Sequence, residues 1–182
     1  MARLKTHYID EIRPNILSEF GLTNDLAAPR LSKITINVGT GKHFRDAKQF
    51  EKVSSTLATI AGQKPVPVQA KRSISQFRIR KGMTIGLKVT LRGDRMYEFL
   101  DRLISIALPR TRDFQGIPLS SIDKQGNVNF GIKEQIIFPE LTNDQLAMVF
   151  GMQINMTIDY STPEKSEYLL RQFGFPFQAN NK

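Results

Sequence analysis

Several residue types that often carry chemistry are missing or rare in this sequence. Its 182 residues include no cysteine and no tryptophan, and the only histidines are His7 and His43. Without cysteine the chain can form no disulfide and offers no thiolate as a metal ligand or nucleophile. No apolar run reaches the length of a membrane span, and residues 1–5 lead into a polar helix rather than a signal-peptide core. We therefore expect a cytoplasmic protein whose partners include no membrane.

Acidic residues are missing from one stretch of the chain. The net charge is +9, from 26 Lys and Arg against 17 Asp and Glu, but eight cations and no acid lie between Gln63 and Gly93. A solvated surface normally mixes both signs, so a patch of one sign predicts a polyanionic partner, of which nucleic acid is the commonest. The alternatives are that these residues solvate an exposed sheet face, or that they dock an acidic protein. The eight are Lys64, Lys71, Arg72, Arg78, Arg80, Lys81, Lys88 and Arg92.

The hydrophobic pattern predicts an α+β fold. Alternation with period two predicts strands over 31–38, 83–92, 128–132 and 154–160, and helical spacing predicts helices over 4–20, 50–60, 96–107 and 163–173. Pro14 should kink the first helix, Asp94 should cap the third, and the third should end before Pro109. Residues 139–151 should hold a short, loosely packed insertion. We expect a single domain over residues 1–177, with a mostly antiparallel sheet, helices packed on one face and the other face open for RNA, followed by a flexible tail over 178–182.

Two strands of the predicted sheet present polar side chains on their exposed face. Short hydroxyl, amide and cationic groups of this kind suit phosphates and ribose hydroxyls. The face could therefore hold an RNA helix. Its residues are Lys33, Thr35 and Asn37 on one strand and Lys88, Thr90 and Arg92 on the other.

A basic loop over residues 71–82 is the second candidate site. It interleaves its cations with the single aromatic residue Phe77, a composition that suits a nucleic-acid backbone or a second RNA. Alternatively, Phe77 and Ile79 anchor the loop in the core.

Enzymatic motifs are weak. Residues 39–42, Gly-Thr-Gly-Lys, follow a strand, but the spacing is too short for a phosphate-cradling loop and His43 stands where that motif has Ser or Thr. Neither histidine has a carboxylate cluster at metal spacing, and the acidic pairs at 10–11 and 164–167 lie in helical segments as solvated charges. We predict no catalytic residue, no metal, no cofactor and no enzymatic activity; nucleotide hydrolysis by residues 39–42 is the rival hypothesis.

Several longer stretches carry a family signature over nearly the whole chain. They read ITINVG at 34–39, GLKVTLRG at 86–93, RMYEFLDRL at 95–103, ALPR at 107–110, GIKEQIIFPE at 131–140 and FGFPF at 173–177. These stretches resemble the bacterial-type large-subunit ribosomal proteins of universal family five, which carry 5S rRNA into the central protuberance. Gln115 and Gln153 depart from residues common in that family, and residues 178–182 extend past its usual end.

The resemblance implies a structural role on the large ribosomal subunit. Expected partners are 5S rRNA, large-subunit rRNA, P-site tRNA, neighbouring large-subunit proteins and a small-subunit head protein of family thirteen. It implies that 5S rRNA is bound by Lys33, Thr35, Asn37, Gln63, Lys64, Lys71, Lys88, Thr90 and Arg92. It implies a loop that contacts P-site tRNA through Arg72, Ser73, Ser75, Gln76, Arg78 and Arg80. It also implies an intersubunit bridge involving Arg110, Arg112, Asp113 and Glu134.

Overall fold

An irregular helical segment opens the chain. A computed structural model describes residues 2–39, 47–112 and 114–178, and its first elements are α1 at Arg3–His7, a π-helical turn at Tyr8–Ile12 and α2 at Arg13–Glu19. Pro14 has no N–H and its ring crowds the carbonyl one turn earlier, so the chain widens before it. The irregularity expected at Pro14 takes the form of this π turn.

The remaining elements confirm the predicted α+β class. They are β1 (Arg30–Gly39), α3 (Ala47–Ala61), β2 (Val66–Gln69), β3 (Thr84–Leu91), α4 (Gly93–Arg102), β4 (Val128–Ile132), α5 (Asn143–Leu146), β5 (Met152–Asp159) and α6 (Pro163–Gln172). The strands form one antiparallel sheet in the order β2-β3-β1-β5-β4. Buried residues alternate with more exposed ones throughout β4 and β5, over 33–39 of β1 and over 87–91 of β3, as the period-two pattern predicted.

The chain groups into two compact units. The first consists of Met1–Ile34, Leu91–Phe130 and Ile154–Lys182, and the second of Thr35–Thr90 and Gly131–Gln153. The single domain over residues 1–177 stays a prediction.

The first unit is built around an aromatic cluster. The rings of Tyr8, Tyr97 and Phe173 have centroids 6.1 to 6.5 Å apart. The Tyr8 hydroxyl donates to the Pro29 carbonyl at 3.0 Å, and burial raises the pKa of Tyr97 to about 12. At the last helix Thr162 accepts the Lys165 N–H, which confirms the predicted helix start before α6.

Two predictions for the third helix were wrong. Asp94 does not cap α4, because the helix begins at Gly93, one residue before Asp94. The Asp94 carboxylate instead accepts a hydrogen bond from Lys5 at 2.6 Å. The helical path also does not end before Pro109. It passes through a π segment at Leu103–Ala107 into a 3-10 turn at Leu108–Arg110, where a proline is tolerated because the first turn needs no N–H.

The core of the second unit lies between α3 and the sheet. Its fully buried side chains include Ile36, Leu57, Ile60, Leu87 and Phe138. Residues 139–151 contain the short helix α5, which begins with a capping box. The Gln145 amide of this helix donates to Thr59 on α3 at 3.1 Å, so α5 is held against the longer helix.

Candidate nucleic-acid interface

The second unit presents polar side chains from two neighbouring strands. Thr35 and Asn37 lie on β1 on either side of the buried Ile36, and Lys88 and Thr90 lie on β3 between buried leucine and valine residues. Asn37 and Lys88 are exposed and the two threonines are half-buried. Since β1 and β3 are neighbours in the sheet, this polar face offers hydroxyl, amide and ammonium groups on rigid backbone.

The end of α3 adds two more groups to this face. Gly62 has a φ of +64°, a left-handed conformation that ends the helix and turns the chain toward β3. The Gln63 side chain then donates to the Thr90 carbonyl at 3.3 Å. Lys64 is exposed two residues before Val66, which pairs with Lys88. The structure therefore brings Gln63 and Lys64 beside β3.

Three other residues of the expected 5S rRNA-binding set belong to the first unit or to the basic loop. Lys33 and Arg92 belong to the first unit, where the Arg92 guanidinium donates to the Ser32 carbonyl at 3.4 Å. Lys71 is exposed and follows Ala70 in the loop between β2 and β3. It therefore groups with the basic loop rather than with Asn37 and Thr90.

Seven cations of the second unit lack a paired carboxylate. In the part of the chain that the structure describes, none of these seven forms an ion pair, whereas Arg3, Lys5 and Arg171 of the first unit do. The cations concerned are Lys64, Lys71, Arg72, Arg78, Arg80, Lys81 and Lys88. All except the sheet residue Lys88 and the adjoining Lys64 lie in the basic loop.

The basic loop is a closed hairpin rather than an open excursion. Strand β2 pairs antiparallel with β3, and Ala70 and residues 82–83 continue the backbone hydrogen bonding beyond the strands at 2.8 and 2.9 Å. Farther out, Ile74 and Ile79 exchange two hydrogen bonds at 2.9 and 3.0 Å. We call residues 70–83 the basic hairpin. Its backbone is fixed by pairing although little of it is buried.

Four residues form the tip of the basic hairpin, at positions 75–78. A 3-10 turn covers Ser75–Phe77, and Arg78 follows in the left-handed conformation with a φ of +54° and its N–H bound to the Ser75 carbonyl at 2.9 Å. The Ser73 hydroxyl accepts the Lys81 N–H at 3.0 Å, so this side chain also stabilises the loop. Gln76 and Arg72 are exposed, as is Arg80.

Phe77 does not anchor the loop in the core. Its side chain is 63% exposed, and the nearby Ile74 is 45% exposed. Only Ile79 is half-buried. The alternative that Phe77 packs inward was wrong because the 3-10 turn points its residues away from the paired strands at an unburied tip.

The residues expected at an intersubunit bridge belong to both units. Arg110 and Arg112 are exposed in the first unit, and Glu134 is exposed in the second. Asp113 lies outside the described residues. The structure adds two apolar residues of the second unit that sequence reasoning missed, Ile136 at 41% and Val149 at 53% exposure. Nothing in the apolar run at 136–138 distinguishes its exposed member from the buried ones.

The segment considered for nucleotide hydrolysis lies almost wholly outside the described residues. Of residues 39–42 only Gly39 is described. His43 and residues 179–182 of the tail also lie outside the described residues. Across the described ranges no group of three or more side chains could hold a metal ion. In the same ranges no helix is long and apolar enough to cross a membrane.

Comparison with known proteins identifies the family. Residues 24–80 match the family model described as ribosomal protein L5, and residues 84–177 match the model for the C-terminus of the same ribosomal family. The large ribosomal subunit protein uL5 of Thermus aquaticus is 51% identical over 175 residues, covering 96% of each chain. The uL5 of Moorella thermoacetica is 49% identical over 180 residues, covering 99% of this chain and all of the relative. That of Streptococcus pyogenes is 47% identical over 175 residues, covering 96% of this chain and 97% of the relative.

These matches span both units and exceed what a shared fold alone would give. They confirm the predicted ribosomal location and exclude the nucleotide-hydrolysis hypothesis, because the family is structural and non-enzymatic. The chain therefore belongs to the ribosomal protein L5 family and is an RNA-binding structural constituent of the large ribosomal subunit.

Proposed function

We propose that the polar face of the second unit binds 5S rRNA and thereby helps to attach it to the large rRNA in the central protuberance. The observation that carries this proposal is the set of unpaired cations beside Asn37, Gln63 and Thr90, in a stretch of sequence without a single acid. Such a surface repels itself until a polyanion covers it.

The two kinds of side chain on this face have different tasks. Lys64 and Lys88 supply attraction to phosphates, which depends on salt and not on sequence. The neutral groups of Asn37, Thr35 and Thr90 can close a dry interface with ribose hydroxyls and base edges without the cost of burying a charge. Side chains held on a rigid sheet face suit binding by shape and backbone.

A mobility-shift titration of 5S rRNA tests this proposal. Asn37→Ala should weaken binding by about 1–3 kcal/mol, which is about 5- to 150-fold, because its RNA partner is left unsatisfied. Gln125→Ala removes an exposed amide from a turn of the first unit and is the matched control. Equal affinity of Asn37→Ala and wild type would remove the β1 face from the site.

Salt dependence separates the cationic contribution. Lys88→Ala should reduce the slope of log K against log salt by about 0.7–0.9 if the ammonium neutralises one phosphate. Lys124→Ala makes the same charge change at an exposed position of the first unit and should leave the slope unchanged. If both variants change the slope equally, binding is non-specific attraction to a basic protein.

The basic hairpin is proposed to contact P-site tRNA. Its support is the paired backbone, which holds Arg72, Arg78 and Arg80 exposed at the end of a protrusion. Replacing Arg78 by Gly and Arg80 by Gln should leave 5S rRNA binding intact and weaken tRNA retention on ribosomes assembled with the variant. Glycine is chosen because position 78 has a positive φ. Equal loss of 5S rRNA binding and of tRNA retention would show that the two RNAs share one site.

The intersubunit bridge to a small-subunit head protein of family thirteen is proposed for exposed groups of the segment from 109 to 140. Arg110, Arg112 and Glu134 offer charges, and Ile136 offers an exposed apolar side chain. Ile136→Asn should lower the share of joined subunits in sucrose gradients at limiting magnesium. Leu26→Asn, at a residue of the first unit that is 71% exposed, is the control. An unchanged gradient for Ile136→Asn would exclude that side chain from the bridge.

A further inference from the structure

The exposed ring at the tip of the basic hairpin is not explained by binding to an RNA backbone. Phe77 is 63% exposed, so the free energy that burial of its ring would contribute is not realised in the free protein. Phosphates and ribose hydroxyls offer an aromatic ring no hydrogen bond. A cationic hairpin that only followed phosphates would be served by a polar residue at position 77.

The local geometry does not require an aromatic residue either. The turn is set by backbone bonds, since the Arg78 N–H binds the Ser75 carbonyl and Ile74 pairs with Ile79. Among the described residues, Phe77 stacks on no other aromatic ring and carries no cation over its face. The ring is therefore presented outward on a backbone that is already ordered, which lowers the entropic cost of binding.

Neighbouring charge selects the kind of partner. Arg72, Arg78 and Arg80 surround the ring in sequence, with no acid within the basic hairpin. A polyanion with an accessible π face satisfies both features together, and unpaired RNA has both because its bases are not hidden in a duplex. An apolar protein groove would cover the ring but would leave the arginines without a counter-charge.

We infer that Phe77 is a stacking platform for an unpaired or helix-terminal nucleobase of the RNA that the basic hairpin contacts. This inference rests on the proposed tRNA contact of the hairpin and adds what the hairpin recognises there. The arginines bind the flanking phosphates, and the ring covers the face of one base. Recognition by stacking tolerates any base, so it selects a folded RNA shape rather than a sequence.

Three substitutions at position 77 separate stacking from mere apolar contact. Large subunits reconstituted with Phe77→Tyr should retain P-site tRNA as wild type does, because the ring is kept. Phe77→Leu and Phe77→Ala should both weaken retention, by about 5- to 150-fold for the loss of one stacked base. Subunits containing Leu26→Ala, which removes a more exposed apolar side chain elsewhere, should behave as wild type.

The outcomes distinguish this inference from the function on which it rests. If the Arg78→Gly, Arg80→Gln variant loses tRNA while Phe77→Leu keeps it, the tRNA contact stands and the stacking inference is wrong. If Phe77→Leu equals wild type and only Phe77→Ala is impaired, an apolar contact without stacking replaces it. If neither the arginine nor the Phe77 variants change tRNA retention, both proposals fail. Binding of 5S rRNA by each variant, measured in parallel, reports that the protein is folded and incorporated.

Discussion

Gln135 allows the strongest test of how the second unit holds its exposed segment. Its side chain is fully buried, its amide donates to the Met148 carbonyl at 2.6 Å, and its amide oxygen accepts the Phe150 N–H at 2.8 Å. A backbone hydrogen bond also joins the Gln135 N–H to the Phe150 carbonyl at 3.2 Å. One side chain thus ties the segment after β4 to the segment before β5.

The substitution Gln135→Met keeps the volume and removes both side-chain hydrogen bonds. Each bond contributes about 0.5–1.5 kcal/mol, and the Phe150 N–H, left buried without a partner, costs a further ~1–3 kcal/mol. We expect the free energy of unfolding to fall by about 2–6 kcal/mol. With a urea m-value of about 2 kcal/mol/M, the unfolding midpoint should drop by about 1–3 M.

Urea titration followed by circular dichroism measures the loss, and hydrogen exchange locates it. The amide proton of Phe150 should lose protection first, since its acceptor is gone. Gln153→Met, at an exposed residue of β5, is the control and should stay within about 0.5 kcal/mol of wild type. If Gln135→Met is as stable as wild type and Phe150 stays protected, the two hydrogen bonds do not hold the segment and the reasoning is wrong.

Three further predictions concern the backbone and the charges. Gly86→Ala should destabilise the protein by about 1–3 kcal/mol in urea titration, since the alanine Cβ would lie 2.9 Å from the Val38 carbonyl oxygen. A gain in stability, which is usual for Gly→Ala in a strand, would contradict this contact. Arg78→Gly should be more stable than Arg78→Ala by about 0.5–1 kcal/mol in thermal unfolding, because only glycine adopts the φ of +54° without strain. The hydrogen bond from Arg3 lowers the pKa of Asp101, so this carboxylate stabilises the fold above the unfolded pKa of about 4 and loses that effect as pH falls through the lower folded value. The stability difference between wild type and Asp101→Asn should therefore shrink as the pH falls below about 4, and a constant difference would contradict the ion pair.

The periodic elements could be predicted because one physical rule determines each of them. The alternation of apolar and polar residues along 31–38 and 83–92 follows from one buried and one exposed sheet face. Gly62 ends α3 because the residue after the helix adopts the left-handed conformation, which favours glycine. The α+β class follows from these elements. The strand order β2-β3-β1-β5-β4 could not be predicted in the same way, since it depends on pairing between residues far apart in the sequence.

The local errors share one cause, which is competition between partners that sequence spacing does not show. Asp94 was expected to cap α4 from its place before the apolar stripe, but it lies inside the helix, and its carboxylate is 2.6 Å from the ammonium of Lys5. Phe77 is apolar and was a candidate anchor for the loop. It lies in the turn beyond the bridge between Ile74 and Ile79, however, and its ring does not reach the core. In both cases the deciding contact joins residues whose proximity only the fold establishes.

Charge made the candidate site predictable where geometry did not. An acid-free stretch stays acid-free however it folds, so the polyanionic partner could be inferred before the hairpin was known. What the sequence left open was the division of that stretch. The structure places Lys64, Lys88 and Gln63 on or beside β3, and Lys71, Arg72, Arg78, Arg80 and Lys81 on the basic hairpin. An open sheet face suits the broad, shallow minor groove of an RNA helix, and a protrusion with an aromatic tip suits an unpaired base. We therefore propose two differently shaped RNA contacts for one continuous run of positive charge.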